Sequence, residues 1–597
     1  MDRKTWIVIG LCIAAFLSWQ WYYNATYGPY LKQQDELRRQ KALAAAAAQP
    51  SPTGTPATAT TPATTPAAVP SAIPQAVMAA RNEELTSEGK KDESADYIFN
   101  NDTGGIEAVR LVKHTREGGA VTLNGDRRMP IGALATTPGT ALGGFEMKVD
   151  AANNTVTFTK RDGDGLEIVK KFTLPPNNSA EAPYVANLEI TFRNPTAITL
   201  SRPGYFVSTG SAAPIHKLDL PTYTRFDWAN SGGMRGRDVN AFNASVIPLI
   251  GIQIHPAQET FSETLADIQW AGVATQYFCT IVSAVEPKAS SVWTSRFVVP
   301  GEPGSAPVYG LQGALGFAGF TLEPQKSTTQ KFTIYAGPKE GPRLAKLPYD
   351  EKAVLNFGWF GFISEFLLWA MNLLHDVFKS YGVAIIVLTL IIKTMLWPLQ
   401  NKATNSMRKM SALSPKMTEM KEKYKDDPTK MNQEMMKLYR DYGVNPFSGC
   451  LPMLIQIPIF FGFYGMLGTA IELRNSSFLG GLVPDLSQPD TVGHILGFPI
   501  NILPLVMAGT MLWQMAISPK SGDATQQRIL MFMPVIFIVF AYNYASALSL
   551  YWTTQNLFSI VQLYLTRNRP LPTLEKMAVV KKRPGPGGSK PRKKRPS

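Results

Sequence analysis

One apolar run in the last third of the chain carries a lysine near its centre. Residues 381–399 are long enough to cross the hydrocarbon core of a bilayer, and Lys393 lies within them. A charge at that depth costs roughly 2.5–3.5 kcal/mol on insertion scales, so it normally faces a protein interior or a water-filled cavity. Thr389 lies four residues earlier, on the same helical face. The pair predicts a polar stripe that faces a hydrated groove.

Further apolar segments indicate a polytopic α-helical membrane protein with six transmembrane helices. Five segments in the last third have roughly the required length: residues 381–399, 450–471, 498–517, 529–544 and 547–565. A sixth, residues 6–23, follows Asp2-Arg3-Lys4 and ends in aromatic residues, without a small-x-small cleavage site. These features favour an uncleaved signal anchor over a cleaved signal peptide.

The distribution of positive charge predicts the orientation of these helices. The net charge is +14; residues 400–447 carry ten lysines and arginines, whereas residues 472–497 carry only Arg474. Cytoplasmic loops are the ones enriched in lysine and arginine. We therefore expect both chain ends and residues 400–447 in the cytoplasm, and the large segment after the first helix outside it.

That large segment reads as a β domain behind a tether. Residues 24–95 are rich in alanine, proline and threonine and are expected to form a linker. From residue 96 to 345, short alternating stretches such as residues 155–160 and 166–174 are separated by turn residues. The pattern predicts an extracytoplasmic all-β sandwich with no catalytic constellation. A scaffold role and sugar binding both remain open.

Two helical segments flank the first span of the last third. Residues 350–379 repeat aromatic and aliphatic side chains at helical spacing, which favours an amphipathic helix in the membrane interface over another span. Residues 400–447 read as a helical hairpin that turns at Asp426-Asp-Pro428. Its methionines either pack the two arms together or contact varied apolar clients; they are Met407, Met410, Met417, Met420, Met431, Met435 and Met436.

Polar residues in the other spans, and a basic tail, complete the set of candidate sites. The candidate groove residues are Lys393, Thr389, Gln456, Thr510, Gln514, Tyr551, Trp552 and Asn556. In hydrocarbon these side chains need partners or water, and interhelical hydrogen bonding is the alternative reading. The tail, residues 568–597, is expected to bind ribosomal RNA or anionic lipid, through Lys581, Lys582, Arg583, Lys593, Lys594 and Arg595.

Several function classes find no support in the sequence. The three cysteines form no CxxC pair, and the five histidines show no metal-ligand spacing. The glycines of the tail lack the spacing of a phosphate-binding loop. We therefore expect no enzyme activity, no cofactor, no metal and no DNA partner.

The last third closely resembles the YidC/Oxa/Alb family of membrane protein insertases. The resemblance lies in residues 385–399, Ser414-Pro-Lys416, Asn445-Pro446, residues 449–460, residues 531–537, Leu550-Tyr551 and Asn556. The anchor, β domain and interfacial helix resemble the Gram-negative form. Two features depart from the family: Lys393 stands where arginine is usual, and Tyr544-Ala-Ser-Ala547 replaces a Phe-Pro-Ser-Gly-like link.

The resemblance implies a multi-pass protein of the bacterial inner membrane with its large domain in the periplasm. It implies a groove open to cytoplasm and lipid, from which nascent membrane proteins leave past the third and fifth spans, alone or with the Sec translocon. The rival hypothesis is a secondary transporter that uses Lys393, but no internal repeat is visible. The expected domains are residues 1–23 (anchor), 24–95 (linker), 96–345 (β domain), 350–379 (interfacial helix), 380–567 (five-helix core with hairpin 400–447) and 568–597 (tail).

Overall fold

The computed structural model describes most of the chain from residue 81 to residue 567. The described residues are 81–90, 93–116, 119–126, 128–216, 219–246, 253–300, 307–444, 451–495, 498–518, 537–538 and 541–567. The predicted anchor, most of the linker, nearly all of the predicted span 529–544, and the tail lie outside them.

Two antiparallel sheets build most of the β domain. Its strands are β1 (Asn82–Glu88), β2 (Ser94–Asn100), β3 (Gly105–Arg116), β4 (Gly119–Leu123), β5 (Leu134–Ala135), β6 (Glu146–Asp150), β7 (Thr155–Arg161), β8 (Glu167–Thr173), β9 (Val185–Arg193), β10 (Leu200–Arg202), β11 (Tyr205–Ala212), β12 (Arg225–Asn230), β13 (Gly233–Asp238), β14 (Ser245–Val246), β15 (Gln253–His255), β16 (Thr260–Ala274), β17 (Phe278–Glu286), β18 (Ala289–Val299), β19 (Val308–Phe317), β20 (Phe320–Leu322) and β21 (Ser327–Pro338). The small sheet runs β1-β2-β3-β4. The large sheet runs β5-β11-β19-β18-β16-β17-β21-β9-β8-β7-β6, with β12 and β13 added beside β16. Among the described residues, β10 pairs with β20 and β14 pairs with β15 in two separate short sheets.

Aromatic side chains join the two sheets into one core. The Phe99 ring of β2 lies 5.4 Å from the Phe172 ring of β8 and 6.2 Å from the Phe158 ring of β7. All three side chains are buried, because alternate residues of each strand point toward the opposing sheet. The sandwich expected from the alternating pattern is thereby formed, and the strands expected at residues 155–160 and 166–174 are confirmed.

The β domain begins earlier than the sequence indicated. Strands β1 and β2 include residues that we expected in the linker. The sequence of β1 lacks the alternating pattern of a strand, because Leu85 is its only buried apolar side chain and the strand lies at the sheet edge. The predicted boundary at residue 96 is therefore wrong.

Among the described residues, seven α-helices follow the last strand of the sandwich. They are α1 (Gly341–Leu344), α2 (Gly361–Phe378), α3 (Tyr381–Lys423), α4 (Pro428–Asp441), α5 (Leu451–Thr469), α6 (Ile502–Ile517) and α7 (Ser546–Arg567). By length and hydropathy, α3 is the one helix among the described residues that could cross a membrane, and α6 is a shorter apolar helix.

Helix α3 joins two elements that the sequence separates. We expected a span ending at residue 399 and a new arm from residue 400, but α3 continues through Pro398 and Pro415. Each proline removes one backbone hydrogen bond. On either side of Pro398, Lys393 and Asn401 form side-chain hydrogen bonds to α7 that support the continuous helix. The hairpin turn is as predicted: Asp427 accepts a hydrogen bond from the Lys430 N–H, and Pro428 opens α4.

A second boundary also differs from the prediction. The expected span 498–517 starts as a strand, β23 (Phe498–Asn501), which pairs with β22 (Thr491–Ile495). Helix α6 therefore begins only at Ile502, where the Asp490 carboxylate accepts a hydrogen bond from the Leu503 N–H at 2.6 Å. A short hairpin thus stands where the apolar pattern suggested continuous helix.

Direct hydrogen bonds join the β domain to the helices. The Tyr223 and Tyr544 hydroxyls lie 2.9 Å apart, and the Gln276 amide donates to the Gly468 carbonyl at 2.7 Å. The Tyr277 hydroxyl donates to the Ser487 carbonyl at 3.1 Å. The sandwich therefore contacts the end of α5, the loop that follows it and Tyr544, just before α7.

Candidate functional site

Helix α3 carries Lys393 into the helical core. Its side chain is only 5% exposed, and its ammonium donates a hydrogen bond to the Ser559 hydroxyl of α7 at 3.3 Å. Among the described residues, no carboxylate forms an ion pair with this lysine. Thr389 is also buried and donates to the Ile385 carbonyl of its own helix at 2.7 Å. The cation therefore has a neutral partner in a largely enclosed position.

One face of α7 continues the polar lining from Lys393. Tyr551, Gln555 and Ser559 recur at four-residue spacing, so they lie on one helical face. The Gln456 amide of α5 donates to the Tyr551 hydroxyl and to the Gln555 side-chain carbonyl, both at 3.0 Å. We call these four residues and Lys393 the polar seam. It draws on three helices, α3, α5 and α7.

The polar seam includes two residues that sequence reasoning missed. Lys393, Gln456 and Tyr551 were predicted, whereas Gln555 and Ser559 were not. The four-residue spacing from Tyr551 was the available signal.

Two further polar contacts join α3 and α7 beyond Lys393. The Gln562 amide donates to the Asn401 side-chain carbonyl at 3.0 Å, and an Arg408 N–H donates to the Thr566 carbonyl at 3.2 Å. These pairs lie progressively farther along both helices, beyond Lys393. Polar contacts therefore run from the middle of α3 into its hairpin half.

Of the other predicted groove residues, Trp552 and Asn556 lie on a neighbouring face of α7, and Thr510 and Gln514 lie on α6. The Asn556 amide donates to the Thr510 hydroxyl at 3.1 Å and to the Met507 carbonyl at 3.3 Å, which ties α7 to α6. Gln514 is half-buried one turn after Thr510. The Trp552 ring packs against Phe460, with centroids 4.8 Å apart. These contacts fit the alternative reading, interhelical bonding and packing, better than a shared groove face.

The hairpin methionines divide between packing and exposure. Leu413, Leu438 and Val444 form a small core, against which Met410 and Met417 pack. Met435 is also buried, whereas Met436 is 54% exposed. Met407, Met420 and Met431 are half-buried. Met436 is therefore the member of the set most accessible to another chain.

Helix α2 is apolar on two sides. Ser364, Leu367 and Met371 are buried against the helical core, and the Ser364 hydroxyl donates to the Gly462 carbonyl at 2.9 Å. The outer side is also apolar, since its large side chains are more than half exposed: Phe362, Phe366, Trp369, Leu373 and Val377. This is the pattern of a helix that packs on protein with one face and meets lipid with the other.

The described residues hold no group of three or more histidine, cysteine or acidic side chains arranged to bind a metal ion. The tail residues predicted to bind ribosome or lipid, Lys581, Lys582, Arg583, Lys593, Lys594 and Arg595, lie outside the described residues.

These features define a membrane protein in which a large β sandwich rests on a helical core. Residues 135–370 match the family model described as the YidC periplasmic domain, and residues 373–572 match the model of the 60Kd inner membrane protein. The chain belongs to the YidC family of membrane protein insertases. It is accordingly an inner-membrane protein with a periplasmic domain.

Curated relatives support the same assignment. The membrane protein insertase YidC of Oleidesulfovibrio alaskensis is 31% identical over 492 residues, which cover 78% of this chain and 83% of that protein. The YidC of Syntrophobacter fumaroxidans is 44% identical over 251 residues, 41% of this chain and 45% of that protein. The latter alignment spans less than half of its relative. A solved structure of an active YidC insertase is 20% identical, covers 82% of this chain and 95% of its own, and has a TM-score of 0.33.

Proposed function

We propose that this chain is a membrane protein insertase and that the polar seam receives the hydrophilic part of each client. The observation that carries the proposal is Lys393, a cation enclosed among helices with the neutral Ser559 hydroxyl as its hydrogen-bond partner. A carboxylate is a stronger partner for an ammonium than a hydroxyl is. An acidic residue of a client would therefore replace Ser559 at this position.

The seam lowers the cost of moving a polar segment through hydrocarbon. The Gln456, Gln555 and Tyr551 side chains offer donors and acceptors that lipid tails lack. Because Lys393 is only 5% exposed, α3 and α7 must separate locally before a client can reach it. The contacts that have to open are side-chain hydrogen bonds, which contribute on average about 0.6 kcal/mol each in membrane proteins.

Two free-energy sources drive the transfer. Burial of the client's apolar span is favourable by roughly 25 cal/mol per Å² of apolar surface removed from water. The membrane potential adds about 2.3 kcal/mol per elementary charge per 100 mV for charged tails that cross it. No nucleotide hydrolysis is required.

The chain adopts six spans with both ends in the cytoplasm. This orientation places the ten positive charges of residues 400–447 and the basic tail inside, in agreement with the positive-inside rule. It also places the hairpin where clients arrive, with Met436 exposed to them. A secondary transporter, the rival, would need an internal repeat with paired broken helices, which the sequence lacks.

The partners beyond the client follow from charge. The tail from residue 581 carries eight positive charges and no acid, so it binds ribosomal RNA or anionic lipid with steep salt dependence. Truncation after Leu574 should lower ribosome co-sedimentation and spare insertion of clients already released from the ribosome. Equal co-sedimentation of both forms would assign the tail to lipid. The Sec translocon is a further proposed partner, as the resemblance to the family implies.

A reconstitution tests the function directly. The purified chain is placed in lipid vesicles that contain no other protein, and a small membrane protein is synthesised in their presence. Protease protection of the client's translocated tail measures insertion. Insertion into these vesicles above the level of protein-free vesicles supports the proposal, and equal levels in both would reject it.

A further inference from the structure

Two leucines lie exposed at the tip of the loop that follows α5. Leu479 is 57% exposed and Leu482 is 50% exposed. The segment from Ser476 to Pro484 contains no charged residue. A single exposed leucine needs no explanation, but two on one uncharged tip form an apolar projection that soluble loops usually avoid.

Backbone hydrogen bonds fix the conformation of the loop that presents these leucines. Phe478 and Val483 exchange backbone hydrogen bonds of 2.8 and 3.2 Å across the tip, and Val483 is 1% exposed. Leu479 has a φ of +52°, a left-handed conformation that is unfavourable for a residue with a side chain. Gly480 continues the turn at φ +63°. We call residues 478–483 the leucine tip.

The base of the leucine tip lies where the helices meet the outer surface. The Phe478 ring packs directly against Gly382, in the first turn of the membrane-crossing helix α3. Just beyond the tip, the Leu486 carbonyl accepts a hydrogen bond from the Ala547 N–H at the start of α7, at 3.0 Å. The tip and the residues just after it thus contact the N-terminal ends of two core helices, α3 and α7.

The exposed apolar face of α2 ends at this level. Its last exposed residues, Val377 and Phe378, come only a few positions before Gly382. Lys379, between them and α3, is exposed and can contact anionic headgroups. The leucine tip and the last exposed residues of α2 therefore both lie near the start of the membrane-crossing helix α3.

We propose that the leucine tip inserts Leu479 and Leu482 into the lipid of the outer leaflet, as a second membrane contact beside α2. The inference rests on the membrane placement of α2 and α3 proposed above. Lipid is the occupant because the tip is uncharged, is anchored at the first turns of α3 and α7 and lies near the end of the exposed apolar face of α2. The two contacts would together fix the height of the helical core in the bilayer.

Site-directed spin labelling of the full chain tests the proposal. The three native cysteines are replaced by alanine, and single cysteines are introduced at Leu479 or Leu482. Each variant is labelled with a nitroxide and reconstituted in vesicles of phosphatidylethanolamine and phosphatidylglycerol. Collision with oxygen, which concentrates in hydrocarbon, is compared with collision with a water-soluble nickel chelate. Trp369→Cys on α2 and Ile198→Cys on the β domain are the matched controls, since both native side chains are more than half exposed.

The expected ratio of oxygen to nickel collision at residues 479 and 482 is several-fold above that at residue 198 and similar to that at residue 369. A ratio equal to that at residue 198 would place the tip in water and overturn the proposal. Protection from both reagents would indicate a protein partner or a second copy, and would overturn it equally. A low ratio at residue 369 as well would refute the membrane placement of α2, which separates that failure from failure of the tip alone.

Discussion

Replacement of Gln456 by leucine tests whether the polar seam holds the helices together. The change keeps the approximate side-chain volume and removes two interhelical hydrogen bonds of 3.0 Å, to Tyr551 and Gln555. At about 0.6 kcal/mol for each bond in a membrane protein, the free energy of unfolding should fall by about 1.2 kcal/mol. That corresponds to about an eightfold change in the unfolding equilibrium constant.

Steric trapping in bicelles measures this free energy under native conditions. Ile457→Leu is the matched control, because Ile457 lies beside Gln456 on the same helix but is 37% exposed. Tyr551→Phe should cost about 0.6 kcal/mol in the native background and nothing further when Gln456 is already leucine. If Gln456→Leu costs no more than Ile457→Leu, or if Tyr551→Phe costs the same in both backgrounds, the seam is not a coupled network.

Three further outcomes are expected from the structure. Gly468→Ala places a methyl group against the Tyr223 and Tyr544 hydroxyls that join the sandwich to the helices. The free energy of unfolding should therefore fall by about 1–3 kcal/mol, and hydrogen exchange at that contact should become faster. Gly509→Ala, the control, has no neighbour within 4 Å of the added atom and should change neither. Burial and the nearby arginine lower the pKa of His114 from 6.5 to about 4. As the pH falls, the unfolded chain therefore takes up this proton before the folded chain does. The free energy of unfolding should fall by up to roughly 3 kcal/mol between pH 6.5 and pH 4. His114→Gln should remove this loss in an acid titration monitored by circular dichroism. A photo-crosslinker at Met436 should capture nascent clients, whereas one at the buried Met435 should crosslink only within the hairpin; equal capture at both would contradict the assignment of Met436 as the accessible site.

The sequence predicted the helices and strands themselves better than the boundaries between them. Alternation placed the strands at residues 155–161 and 167–173, and the Asp-Pro signal placed the start of α4, because these features are local. The strand β1 was missed because its single buried leucine gives no alternating pattern. The continuity of α3 was missed because contacts with another helix, such as Gln562 with Asn401, decide whether a proline ends a helix.

The candidate site was predicted in part for the same reason. A charged residue within an apolar run is visible in the sequence alone, so Lys393 was predicted without knowledge of its neighbours in the fold. Which face of α7 it meets depends on helix packing, which a single sequence does not contain. Ser559 was therefore missed, and Asn556 was grouped with Lys393 although it bonds Thr510 on another helix.

The most direct test of the account compares Lys393 variants on two matched clients. Purified chains with Lys393, Lys393→Arg or Lys393→Leu are reconstituted in lipid vesicles, and each inserts one small membrane protein whose translocated tail carries either aspartates or asparagines. A hydrogen bond to a charged group contributes about 1.5–3 kcal/mol, so Lys393→Leu should lower insertion of the aspartate tail at least about tenfold, while Lys393→Arg retains it and the asparagine tail is little affected. Equal insertion of both tails by Lys393→Leu, at the level of the unchanged chain, would contradict the central role assigned to this lysine.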